Sequence, residues 1–213
     1  PPLPDAATKP MREWVYRNGN GIAIAIHGRW DTPHGKEIRW RVPDGDYHEG
    51  LGELKTEDIP LYGTELLESR PDETVVFCEG EAAVDACRDN GLLAITNPGG
   101  AGQRRFGSSL EILRNRNVEL FPDNDPPGRL LMQTIQASLR PIASSVSVLN
   151  PGKNIPYKGD AVEFFGMGGT LEELRTRAEP TIEHIDHDQI RLSMPVELQE
   201  VRGDIVFLFE NIR

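Results

Sequence analysis

At 213 residues, 38% hydrophobic and 27% charged, the chain has the size and composition of one globular domain, or of one domain with an appended subdomain. A formal net charge of −11 argues against a generic nucleic-acid coat, because phosphate contacts require Lys and Arg. No apolar run approaches the length of a bilayer span and no signal peptide opens the chain, so the expectation is a cytoplasmic protein with no membrane partner.

Residues 1–10, with four prolines and no Met at the start, read as a linker in a fragment of a longer protein. Glu13 to Ile26 alternates in hydropathy around Asn18-Gly19-Asn20-Gly21, a strong hairpin signal. Lys36 to Val42 alternates too, with Ile38, Trp40 and Val42 on one face and Glu37, Arg39 and Arg41 on the other. Residues 11–48 thus predict a small antiparallel β subdomain, and 49–72 a connector with a short helix near Gly63 to Ser69. Arg12 to Arg41 holds six bases and three acids, whereas Val42 to Asn90 holds 14 acids and three bases, the whole net deficit. A locally basic N-terminal face and ordinary solvated strand faces are equally compatible with that distribution.

From Glu73 onward β and α segments alternate. Strands are expected at Thr74–Cys78, Leu92–Thr96, Val118–Phe121 and Ser145–Leu149. Helices are expected at Glu81–Asp89, Ser108–Arg114, Gly128–Leu139, Ala161–Phe165 and Leu171–Ala178. Asn90-Gly91 is placed to stop the first of these helices through a left-handed cap. Continuous apolar strands interleaved with helices imply an α/β domain over 73–180, its mostly parallel sheet covered on both faces. Residues 181–213, with strand-like runs at Ile190–Met194 and Asp204–Phe209, form a C-terminal extension of unknown role. Cys78 and Cys87 fit neither a zinc pattern nor a disulfide framework and read as packing residues. His184 and His187 have helical metal spacing, but Pro180 and the neighbouring acids suggest a linker there.

In open α/β sheets, ligands sit where strands end at their carboxyl edges. Glu79 directly follows the first strand, and Asp123 and Asp125 follow Val118–Phe121. Alternation aims the two aspartates to one side and turns Asn124 away. Mg²⁺, or Mn²⁺, takes hard oxygen ligands, and three carboxylates at strand ends suit one such ion or two. The competing reading is helix capping, favoured for any single acid on dipole grounds, above all for Asp125 before Pro126-Pro127-Gly128.

Three motifs in order, Phe77-Cys-Glu-Gly-Glu81, Thr96-Asn-Pro-Gly-Gly-Ala-Gly102 and Leu120-Phe-Pro-Asp-Asn-Asp-Pro-Pro-Gly128, resemble the TOPRIM domain of bacterial-type primases, topoisomerases and some nucleases. Tyr16-Arg-Asn-Gly-Asn-Gly21, Lys36-Glu-Ile-Arg-Trp-Arg41 and Leu61-Tyr-Gly63 extend the resemblance to the catalytic core of primases and primase-helicases of phages and mobile elements, over residues 12 to 178. The resemblance implies a Rossmann-like TOPRIM fold preceded by the β subdomain. It implies that Glu79 is a metal ligand or general acid/base, that Asp123 and Asp125 are metal ligands, and that Asp160 of Lys158-Gly-Asp160 stands at the rim of that site. Where many relatives carry an Asp, four residues after Glu79, this chain has Ala83; Asp85 is read as a helix-surface acid outside the site.

The implied chemistry is Mg²⁺-dependent nucleotidyl transfer, making short primers from nucleoside triphosphates on a single-stranded DNA template, with a helicase domain or protein as a further partner. Arg12, Arg17, Arg29, Lys36, Arg39 and Arg41 become candidate nucleic-acid contacts, and Arg104, Arg105 and Lys158 candidate nucleotide-phosphate contacts. Trp40 is either a stacking platform for a base or a packed core residue. Two rivals remain open at this point: a metal-dependent nuclease using the same acids, and a binding module without turnover.

Overall fold

The computed structural model describes residues 9–100, 106, 108–152, 155–176 and 182–183. The chain divides into a unit Pro1–Glu183 and a unit His184–Arg213. The expected strands at 190–194 and 204–209, His184 and His187 lie outside the described residues, as do Arg104 and Arg105.

Three antiparallel strands come first: β1 (Arg12–Arg17), β2 (Ala23–Thr32) and β3 (Gly35–Arg41), in the order β1-β2-β3. The Asn18–Gly21 turn closes as expected, with the Asn18 side chain accepting hydrogen bonds from the Asn20 and Ile22 amides. β2 runs six residues past Ile26. Gly28 conceals this continuation, because glycine weakens a strand pattern. It is needed there for close approach: a Cβ at this position would stand 2.5 Å from the Tyr47 hydroxyl oxygen.

The second sheet has the order β5-β4-β6-β7-β8. Its members are β4 (Val75–Cys78), β5 (Leu93–Thr96), β6 (Asn117–Phe121), β7 (Ser145–Val148) and β8 (Ile182–Glu183). The first four are parallel and β8 joins β7 antiparallel, so the sheet takes in two residues beyond the expected boundary at 180. Alternation splits the buried residues between two cores. Val75, Phe77, Val118 and Leu120 pack under one face with Leu131, Met132 and Ile135 of α2 (Pro126–Leu139). Val76, Cys78 and Phe121 pack under the other with Val84 and Cys87 of α1 (Glu81–Asp89) and Phe164 of α3 (Ala161–Gly166). A short helix α4 (Leu171–Thr176) follows.

α1 ends at Asn90-Gly91 with Gly91 at φ +81°, as the sequence predicts. α2 starts two residues earlier than expected, because proline is tolerated in a helix's first turn, where the amides have no intrahelical acceptor. Ser109–Leu113 is a 3-10 helix, and the connector forms 3-10 turns at Thr56–Asp58 and Thr64–Leu66. Cys78 and Cys87 are both buried, with their sulfurs 3.6 Å apart in the core, consistent with packing. Among the described residues no helix is long and apolar enough to cross a membrane.

The β subdomain docks on α1 through two acids one turn apart. Glu81 accepts hydrogen bonds from the Tyr16 hydroxyl (2.6 Å) and bonds His27 Nδ1. Asp85 accepts from Arg12 (2.9 Å), Trp14 Nε1 (2.8 Å) and the Tyr62 hydroxyl (3.1 Å). Burial pushes the Glu81 pKa up, but the bonds from His27 and Tyr16 outweigh it and hold the carboxyl below its ordinary value. Asp85, read from the sequence as a surface acid, is a docking residue instead. Its partners lie up to 73 positions away, beyond any local spacing signal. Truncating one member of a buried polar network strands the others. Glu81→Ala is therefore expected to cost about 2–4 kcal/mol and the more exposed Asp85→Ala about 1 kcal/mol, read as shifts in the midpoint of urea unfolding.

Candidate active site

β5 lies on one side of β4 and β6 on the other, so the chain changes direction across the sheet between β4 and β6. That switch opens a crevice at the strands' carboxyl ends, the usual ligand position in such sheets. Cys78 and Phe121 are register partners at its lip, so the next residues, Glu79 and Pro122-Asp123, leave adjacent strands side by side.

Each acid is placed by a local cause. Asp125 is the N-cap of α2, one of its carboxylate oxygens accepting from the Gly128 amide at 2.8 Å. Asp160 caps α3 in a capping box, accepting from the Val162 amide at 2.6 Å while Glu163 accepts from the Asp160 amide. The capping reading is thus right for Asp125, and Asp160 proves to be a cap as well, yet each cap occupies one carboxylate oxygen of two. Asn124 is turned away, as alternation predicts, and it has a task the sequence did not disclose. Its side chain donates to the carbonyls of Ile155 and Pro156, its amide donates to Gly159 O, and its carbonyl accepts from the Lys158 amide. The Asp123–Asp125 loop is thereby stapled to the loop that delivers Asp160. Lys158, exposed within that loop, sits at φ +66°, a conformation costing a non-glycine residue roughly 1–3 kcal/mol.

Glu79 Oε2 is buried with no hydrogen-bond partner. A Cβ on Gly128 would stand 2.9 Å from the Asp123 Cβ and closer still to Glu79 Oε2, so the glycine is what lets Glu79 approach the start of α2. Burial is the largest influence on three of the acids. It raises Glu79, aided by the charge of Asp125. It raises Asp123 to about 8, aided by Glu79, Asp160 and Asp125, and it raises Asp160 to about 6. The hydrogen bond with Asp123 draws Glu79 back down and the Val162 amide does the same for Asp160, with a smaller pull on both from Lys36, on the sheet face that carries Trp40 and His27.

The remaining N-terminal bases do not form one basic face. Opposed residues of an antiparallel pair share a side, so Arg12, Arg29 and Lys36 stand on the face that meets α1, while Arg39 and Arg41 stand on the other. Arg29 pairs with Asp31, Arg39 with Glu37, and Arg41 with Glu13 and the Pro43 carbonyl. Arg17 donates to Gly21 O. Trp40 stacks on His27 with ring centroids 4.1 Å apart and 15° between planes, so one face of its indole is already covered. Ala83, buried at 2% exposure against Val76 and Cys78, has an apolar setting. The sequence reading missed Asn97, a buried residue after β5. Its side-chain amide donates to Pro98 O and Gly100 O while its Oδ1 has no partner; its place at the head of the glycine loop was the available signal.

Among the described residues no three acidic, His or Cys side chains stand ready-made as a metal shell. The donor set nonetheless suits a hard divalent cation. It offers carboxylate oxygens, one of them orphaned, and a burial that raises Asp123 to about 8, with the neighbouring acids adding to it, and Asp160 to about 6.

The architecture defines a TOPRIM-type α/β fold preceded by a three-stranded antiparallel subdomain. Solved structures share it. The Escherichia coli primase catalytic core matches over 81% of this chain and 52% of its own, at 18% identity and a TM-score of 0.55. A DNA primase domain from Pseudomonas aeruginosa matches over 79% and 51%, at 20% identity and a TM-score of 0.57. A DnaG primase catalytic domain bound to single-stranded DNA matches over 79% and 51%, at 20% identity and a TM-score of 0.55. The chain thus has the fold of the bacterial primase catalytic core and spans about half the length of the cores it matches. No family model matches it, and no curated protein does.

Proposed function

We propose that this chain carries the nucleotidyl-transfer centre of a DNA primase, joining nucleoside triphosphates into short primers on a single-stranded DNA template. The observation that carries this reading is the gathering of Glu79, Asp123, Asp125 and Asp160 at the switch crevice of a primase-core fold, with Glu79 Oε2 buried and unpartnered. Glu79, Asp123 and Asp125 would hold Mg²⁺, with Asp160 at the rim. When bound, the cation supplies charge neutralisation for the triphosphate and lowers the pKa of the attacking 3′-hydroxyl. The chain's own part is to position and exclude. Asn124 fixes the aspartate loop, Gly128 admits Glu79, and Lys36 places a positive charge over the cluster for a substrate phosphate. Lys158, Arg104 and Arg105 are assigned to triphosphate contacts, and the N-terminal arginines and Trp40 to the template side. A helicase domain or protein is the expected further partner.

Triphosphates, a single-stranded template and Mg²⁺ test the reading together. Primers of a few nucleotides are expected; degradation of the template would make the site a nuclease, and template binding with neither product a module without turnover. The acids also set a pH dependence. A cation displaces protons from carboxylates, so affinity for Mn²⁺ should rise steeply between pH 6 and pH 8.5 as Asp160 and Asp123 ionise. An affinity unchanged over that range, measured by calorimetric titration, would remove these two acids from the site.

A further inference from the structure

One crevice along from the acids, between the carboxyl ends of β6 and β7 and beneath α2, lies a pocket of about 270 Å³ whose wall includes Asp123. It shares Asp123 and the stapling Asn124 with the acidic site, and the rest of its wall takes no part in placing the acids. Arg129, Gln133 and Gln136 share one stripe of α2 and face it, with Asn150 at the end of β7 opposite and Met132 on its apolar side. Apart from Asp123, the sole charged residue of this described lining is Arg129, which is exposed, donates to Asn124 Oδ1 at 3.3 Å and forms no ion pair among the described residues.

We propose that this pocket receives the base and sugar of a nucleotide whose phosphates lie at the acidic cluster. The inference rests on reading those acids as a cation site for phosphates, and three features of the pocket carry it. Adjacent strands are only about 4.8 Å apart, so one nucleotide reaches from the β4/β6 crevice into the β6/β7 crevice. The volume lies just below the usual range for small-molecule sites, enough for a base with its sugar and too little for a dinucleotide. The lining chemistry is that of a base: apolar surface for its faces, and amides that donate and accept side by side for its edge, as Gln and Asn do toward adenine. Arg129, one turn into α2, is placed for the sugar or the first phosphate.

Gln133 is exposed and Gln136 half-buried on a helix surface, so the Gln133→Ala, Gln136→Ala double variant is expected to keep its fold. Its KM for the preferred nucleoside triphosphate should rise about 10-fold, with kcat held and the preference among the four bases flattened. Equilibrium binding of the same nucleotides with Mg²⁺ should weaken in parallel, whereas inorganic tripolyphosphate should bind wild type and variant equally. Unchanged nucleotide affinity and base ranking would overturn the proposal. So would weakening toward a single-stranded oligonucleotide alone, which would give the pocket to the template, or equal weakening toward tripolyphosphate. If the wild type makes no primers, the primase reading fails, and the binding arm still decides the pocket.

Discussion

Asp123→Asn is expected to lower primer synthesis about a thousandfold or more and, in the cation-free protein, to raise the melting temperature. The two effects have one cause. Asp123 is largely buried beside Glu79, Asp125 and Asp160, and that setting raises its pKa to about 8. A carboxyl whose pKa is higher folded than unfolded stabilises the fold fully only below its unfolded value, near 4. Stability is lost as pH rises toward 8, because the folded state retains a proton that the unfolded chain has released. Asparagine has no such titration. Its advantage should be absent near pH 4, grow through the neutral range and level off above about pH 8, on the order of 10 °C in Tm. A residue that costs stability in the empty site and is indispensable to turnover is held there for function. Thermal melts in EDTA at pH 4.5 and pH 9, set beside the primer assay, test both halves. A variant that loses activity and also melts lower at pH 9 would show Asp123 to be structural.

Gly128→Ala should cost nearly as much activity by a steric route. The added methyl would meet Glu79 Oε2 and the Asp123 Cβ, neither of which can retreat easily. Asp123 is held through the stapled loop, and Glu79 follows a strand whose four residues are all buried. Overpacking of this kind costs about 1–3 kcal/mol, and displacement of a reacting group by about 1 Å costs on the order of a hundredfold in rate. The expected signature is a kcat down about 100-fold, with urea unfolding shifted to lower midpoint. Alanine is the better helix former, so full activity with raised stability would mean that propensity decides at this position and the close approach does not matter.

The parts of the molecule that were legible in the sequence are those fixed by short-range pattern. β4 is a four-residue apolar run; α1 carries its own stop at Asn90-Gly91; Ile38 and Trp40 alternate with Arg39 and Arg41 on β3. The switch crevice follows from such elements once their order is known, and so do the acids at its lip. What was hidden depends on partners distant in the chain. Nothing within a helical turn of Glu81 or Asp85 announces that Tyr16, His27, Arg12 and Trp14 will bond them from 54 to 73 positions away. The Arg41–Glu13 pair, 28 positions apart, was hidden in the same way, whereas Arg29–Asp31 and Arg39–Glu37, two positions apart on one strand face, were within reach of the alternation. Gly28 and Pro126-Pro127 misled because residues that usually break structure are tolerated where they stand, one inside a strand beneath Tyr47 and the others in a first helical turn. The pocket beneath α2 had no motif at all, since amides spaced along one helix face carry no chemistry until a strand end closes the other side.

The central claim is that Glu79, Asp123 and Asp125 hold the cation on which nucleotidyl transfer depends. Crystals soaked with Mn²⁺ and a nucleoside triphosphate test it most directly through the anomalous signal of manganese. The expected result is a peak at the β4/β6 crevice, within ligand distance of Glu79 and of at least one aspartate oxygen, and absent from Asp123→Asn crystals. Manganese bound only elsewhere, or a triphosphate ordered in the crevice with no cation beside those carboxylates, would contradict it.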